Sequence, residues 1–220
     1  MGGNDTHGPR DSQALLTALT TEHFTLQSAR SQTVSETSAR SFLYMGSVSS
    51  ALIALGFVSQ ISRGGQVFQL FALAVLPTIF LLGLITFGRM VQSSVEDVLY
   101  GRAINRIRHY YLELAGEDRT YFLLSAHDDP RGVLANMGLS GGSRWQLFFT
   151  IASAVSIINS IVGGGGIAIL LGSTLNLHPV VAAVAGVLFA IASITFQKRY
   201  ERRQHVEAAS RVDSVFPSPS

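Results

Sequence analysis

Three stretches of this chain contain no charged side chain: between Arg40 and Arg63, between Arg63 and Arg89, and between Arg144 and Lys198. An element of a soluble domain needs a solvated face, and charges gather there. Their exclusion from whole segments requires a different solvent. At ~1.5 Å per residue, a helix over residues 41–62 spans the ~30 Å hydrocarbon core of a bilayer. Residues 66–88 are long enough to cross back with some tilt. The third stretch is too long for one crossing, and its sequence STLNLHP at residues 173–179 supplies a break, giving spans at 145–172 and 180–197. The expected class is an all-α polytopic membrane protein with four transmembrane helices arranged as two hairpins, the first closed by Arg63-Gly64-Gly65.

The remaining segments are aqueous in character. Residues 1–40 are polar, and from Ser12 onward they are helix formers without Pro or Gly, with Leu15, Leu19, Leu26 and Ala29 as a thin apolar stripe. This predicts a helix that runs into the first span and packs either on a neighbouring subunit or on the middle segment. That middle segment, residues 89–144, holds seven basic and seven acidic residues. Its Val91, Val95, Val98, Leu99, Ile107, Tyr111 and Leu114 repeat near helical spacing up to Gly116, a suitable helix stop. A short apolar piece at residues 121–124 and a turn at His127-Asp128-Asp129-Pro130 follow, and residues 198–220 form a basic tail.

Of the sixteen basic residues, only Arg63 falls in a short inter-span turn. The positive-inside rule therefore predicts that both termini and the middle segment are cytoplasmic. Tyr44, Tyr110, Tyr111, Trp145 and Tyr200 fall where aromatic anchoring at that interface is expected. Lys198 is the one lysine; such dominance of arginine fits a GC-rich bacterial genome, and hence a bacterial inner membrane. Ile85-Thr86-Phe87-Gly88-Arg89 and Ile194-Thr195-Phe196-Gln197-Lys198 close the two hairpins similarly, consistent with a parallel duplication.

Within the spans, the most informative pattern is Ala152, Ser156, Ser160, Gly164, Ala168 and Gly172, one small residue every fourth position. Such a face lets another helix approach closely, either within one chain or between copies around a pore. Asn159 needs a hydrogen-bond partner in hydrocarbon, for which Ser156, Thr78 or its own copy in a neighbouring subunit are available. The glycine run at residues 163–166 makes Gly163 and Gly165 candidate hinge positions, as does Pro77, whose freed carbonyl Thr78 or a neighbouring helix can satisfy. Arg102, Arg106 and Arg108, interleaved with Ile104, Ile107, Tyr110 and Tyr111, form a candidate lipid-surface segment.

Several classes of chemistry are excluded or unsupported. Cysteine is absent, which removes disulfides, thiolate metal sites and cysteine nucleophiles. The formal net charge is only +2, so nucleic acid is not an expected partner. The spans hold no charged residue, and no phosphate-binding loop, HExxH or nucleophile elbow occurs. Enzyme activity, cofactors and metals are therefore not expected, and neither is ion-coupled transport, which generally relies on ionisable groups inside the bilayer. Two expectations remain. One is a homo-oligomeric passive channel with an uncharged lining around Asn159 and Ser156; the other is a membrane-anchored scaffold presenting cytoplasmic helices to a protein partner.

Overall fold

The computed structural model describes residues 9–138 and 151–219. Trp145 and the start of the expected third span lie outside them. The described residues contain helices and no strand. They comprise α1 (Pro9–Ser62), α2 (Gln66–Ala115), a short 3-10 turn (Gly116–Tyr121), α3 (Pro130–Asn136), α4 (Ile151–Thr174) and α5 (Pro179–Ser210). Four of these, α1, α2, α4 and α5, are long and apolar enough to cross a membrane.

The stops follow from local chemistry. α1 ends because Gly64, at φ +72°, adopts the left-handed conformation that closes a helix, with its N–H donating to the Ser59 carbonyl at 3.0 Å. Gly116 does the same for α2 at φ +58°. The helical middle segment thus starts far upstream, as one unbroken helix from Gln66. α3 begins at Pro130, with Asp129 as its cap: the carboxylate accepts the Gly132 N–H at 2.7 Å.

The chain divides into two compact units. The first comprises residues 1–34, 96–142 and 209–220; the second comprises residues 35–95 and 143–208. In the second unit, Tyr44, Val48 and Leu55 of α1, Ala72, Leu76, Phe87, Met90 and Val91 of α2, and Ala152, Val155 and Val162 of α4 form one buried cluster. The polarity around this cluster is unusual. Buried beside it are Ser153, Ser156, Asn159, Ser160 and Gln197, while Phe42, Leu43, Phe57, Ile61 and, along α5, Val184, Leu188 and Ile191 are exposed. A soluble unit tends to have the opposite distribution.

In the first unit, Gly101 leaves room for α3, since a Cβ there would come within 2.8 Å of the Val133 side chain. The apolar stripe of α1 meets the middle segment: Leu15, Leu19 and Leu26 share a cavity wall with Leu99 and Ile107 of α2. Arg30 of α1 and Asp97 of α2 add an ion pair at 2.8 Å.

Candidate functional site

The residues expected around a pore or interhelical contact lie inside the second unit. Ala152, Ser156, Ser160 and Gly164 are buried on α4, and Ala168 and Gly172 are partly so. Opposite them stands the small face of α5. A Cβ on Gly164 would be 2.5 Å from the Gly186 carbonyl oxygen, and a Cβ on Gly186 would be 2.5 Å from the Gly164 carbonyl oxygen. The two backbones therefore touch, and the groove read in the sequence is filled from within the same chain.

Asn159 is fully buried and accepts a hydrogen bond from the Tyr44 hydroxyl at 3.1 Å. Neither Ser156 nor Thr78 partners it. Thr78 is exposed and donates to the Ala74 carbonyl at 2.8 Å, the ordinary partner of a hydroxyl one turn on, so Thr78 leaves the carbonyl freed by Pro77 untouched. Gly83 completes the setting, because a Cβ there would run into the Asn159 amide and the Tyr44 ring. Nearby, Gln197 donates to Ser160 at 3.1 Å and to Ser193 at 3.0 Å, and Lys198 donates to Ser153 at 2.5 Å and to Glu201 at 2.9 Å. The Ser156 hydroxyl, the Asn159 Nδ2 and the Gln197 Oε1 have no partner among the described residues.

Of the candidate hinges, Gly163 is packed, while Gly165 and Pro77 are exposed. α4 is helical throughout its glycine run, and a Cβ on Gly163 would be 2.6 Å from the Phe80 ring and 2.8 Å from the Phe189 ring. Those two rings sit 5.6 Å apart across it. Gly165 faces open space. α2 likewise continues through Pro77.

The first unit contains a site that the sequence reading did not assemble. Its floor is the loop at residues 125–129, fixed by two amides: Asn105 donates to the His127 carbonyl at 2.8 Å, and Asn136 donates to Asn105 at 2.9 Å while accepting the Ser125 N–H at 2.7 Å. Against this floor lies the C-terminal segment. The fully buried Asp128 carboxylate accepts the backbone N–H groups of Phe216 at 2.8 Å and Val215 at 3.1 Å, and the Asp128 N–H donates to the Phe216 carbonyl at 3.1 Å. Arg106 donates to Asp128 at 2.7 Å and to the Asp213 carbonyl at 2.7 Å. Arg102 donates to the carbonyls of Asp128 and Val212, both at 2.7 Å. Asp129 accepts from the N–H and the hydroxyl of Ser218. The Phe216 ring stacks on His109, with centroids 3.6 Å apart and planes 14° from parallel.

Arg102 and Arg106, expected at a lipid surface, are drawn into this site. Arg102 is buried and donates to main-chain oxygens and to the Ser214 hydroxyl, while Arg106, 42% exposed, donates to Asp128 and the Asp213 carbonyl. Arg108 is half-buried, donating to Asn105 and the Ser125 carbonyl, and desolvation together with the nearby Arg30 charge lowers its pKa. Burial raises the pKa of Asp128, but the N–H groups of Val215 and Phe216 and the Arg106 guanidinium outweigh it, so the carboxyl stays below its ordinary value. Asp129 is also lowered: the N–H groups of Gly132 and Ser218 and the Ser218 hydroxyl overcome its desolvation. Among the described residues, no group of histidines and acids is gathered as a metal site would require.

No family model matches this chain, and neither does a curated protein or a solved structure.

Proposed function

We propose that this protein is a membrane-anchored interaction protein: the second unit spans the bilayer four times as two hairpins, and the first unit presents a helical binding surface on the cytoplasmic side. The observation that supports this reading is the reversed polarity of the second unit, with large apolar side chains exposed and small or polar ones buried between the helices. In lipid, where apolar burial gives helices no reason to associate, close packing and interhelical hydrogen bonds take over that role. The channel reading draws no such support, because Ser156, Asn159, Ser160 and Gly164 are buried among the helices of their own chain.

The distribution of charge sets the orientation, with fifteen of the sixteen basic residues on the cytoplasmic side and Arg63 outside. The test is reconstitution into liposomes, measuring flotation with the vesicles and flux of ions and small solutes. The expected result is firm membrane association with no flux above protein-free vesicles, for wild type and Asn159→Leu alike. A flux that Asn159→Leu abolishes would restore the channel reading and overturn this one.

A further inference from the structure

We propose that the groove built from Arg102, Arg106, His109, Asp128 and Asp129 is a peptide-recognition site. Its resident ligand is the chain's own residues 212–218, and its ligand in trans is a short, similarly bent segment of a partner protein carrying a Phe-Pro step. This rests on the interaction-protein reading above and specifies the chemistry of the partner.

Most of the grip is on main chain. Val215 and Phe216 are held through N–H, and Val212, Asp213 and Phe216 through C=O. Two successive N–H groups converge on the one Asp128 carboxylate, so the groove holds a bent main chain, and side-chain contacts then select the sequence. Here the side-chain contacts are Phe216 on the His109 ring and Ser218 on Asp129, and Pro217 restricts the backbone between them. The resident segment closes over Asp128: its carboxylate is fully buried with the segment in place, and keeps only Arg106 and water as donors when the segment leaves.

The resident segment also leaves space for a better one. A cavity of about 650 Å³ opens beside it, lined by Val212 and Phe216 together with Leu15, Leu19, Leu99 and Ile107. A tethered tail competes at an effective concentration in the ~mM range, so a free segment of the same sequence is at a disadvantage. A partner that places a larger apolar side chain where Val212 stands gains burial that the tail does not have. The tail then acts as a gate, displaced by a ligand that fills the cavity.

The test uses the full chain in nanodiscs and two labelled peptides: VDSVFPSP, the sequence of residues 212–219, and the same peptide with leucine in the place of Val212. Phe216→Ala loosens the resident tail. It is expected to raise affinity for the first peptide at least about tenfold over wild type, by freeing the groove from its tethered competitor. The leucine peptide is expected to bind about fourfold more tightly than the first. In the Phe216→Ala background, adding Asp128→Asn or, separately, His109→Ala is expected to abolish most of that binding; the second variant guards against a fold-specific effect of the first. A Phe216→Ala chain with unchanged helical circular dichroism that binds neither peptide overturns the proposal, as does binding indifferent to both added substitutions. Flotation with liposomes, measured on the same variants, separates the two readings. Binding without flotation overturns the anchor alone, and flotation without binding overturns the groove alone.

Discussion

At Asp128 the balance between burial and hydrogen bonding sets a pH dependence. Desolvation favours the neutral acid, while the N–H groups of Val215 and Phe216 and the Arg106 guanidinium favour the carboxylate and prevail. The folded pKa lies below the ordinary 3.8, so the ionised form contributes stability at neutral pH, and that contribution is lost as the pH falls from that value through the folded one. Amide hydrogen exchange at Val215 and Phe216 is therefore expected to stay slow at neutral pH and to accelerate, relative to its intrinsic rate, only below about pH 4. Acceleration already at pH 6 would contradict the carboxylate's role. In the second unit, Tyr44 and Asn159 form a hydrogen bond that a double-mutant cycle can isolate. With Tyr44→Phe and Asn159→Ala, denaturation in detergent is expected to give a coupling of about 0.6–2 kcal/mol, the range for polar pairs between membrane helices. A coupling of zero would make the 3.1 Å contact energetically silent.

For the elements, the two adjacent glycines of α4 give opposite expectations. Gly164 abuts the Gly186 carbonyl, so Gly164→Ala must push α4 and α5 apart and should destabilise by about 1–3 kcal/mol. Gly165 has nothing within 4 Å of an added Cβ, so Gly165→Ala should be neutral or slightly stabilising. Thermal denaturation of the two variants side by side checks this. The four-residue spacing that marks α4's buried face was legible in the sequence, because helix geometry turns spacing into a face. The element that fills the face was not legible: α5, α1 and a second copy all offer small residues. The internal repeat shows the same limit. Phe87 and Phe196 occupy matching places in the two Ile-Thr-Phe motifs, yet Phe87 is 2% exposed and Phe196 69%, so the motif does not carry a shared environment. The clasp on the C-terminal segment was least legible of all. It joins residues as far apart as Arg102 and Val212 largely through main-chain oxygens and N–H groups, which leave no pattern in residue type. His127-Asp128-Asp129-Pro130 could be read only as a turn; it is irregular chain that bends at Asp129, the cap of α3.

At the scale of the molecule, charge exclusion made the apolar helices legible, and the described residues contain four helices long and apolar enough to cross a membrane. The central claim is that these four cross a bilayer and leave both termini and the middle segment on one side. The chain has no cysteine, so single cysteines can report on this without background. The deciding measurement is labelling by a membrane-impermeant maleimide in intact spheroplasts, with cysteine placed at Gly65, Asn176, Asp11 or Glu117. The account predicts that Gly65→Cys and Asn176→Cys are labelled from outside, while Asp11→Cys and Glu117→Cys react only after permeabilisation. Labelling of Glu117→Cys in intact cells, or of Gly65→Cys and Asn176→Cys from opposite sides, would contradict it.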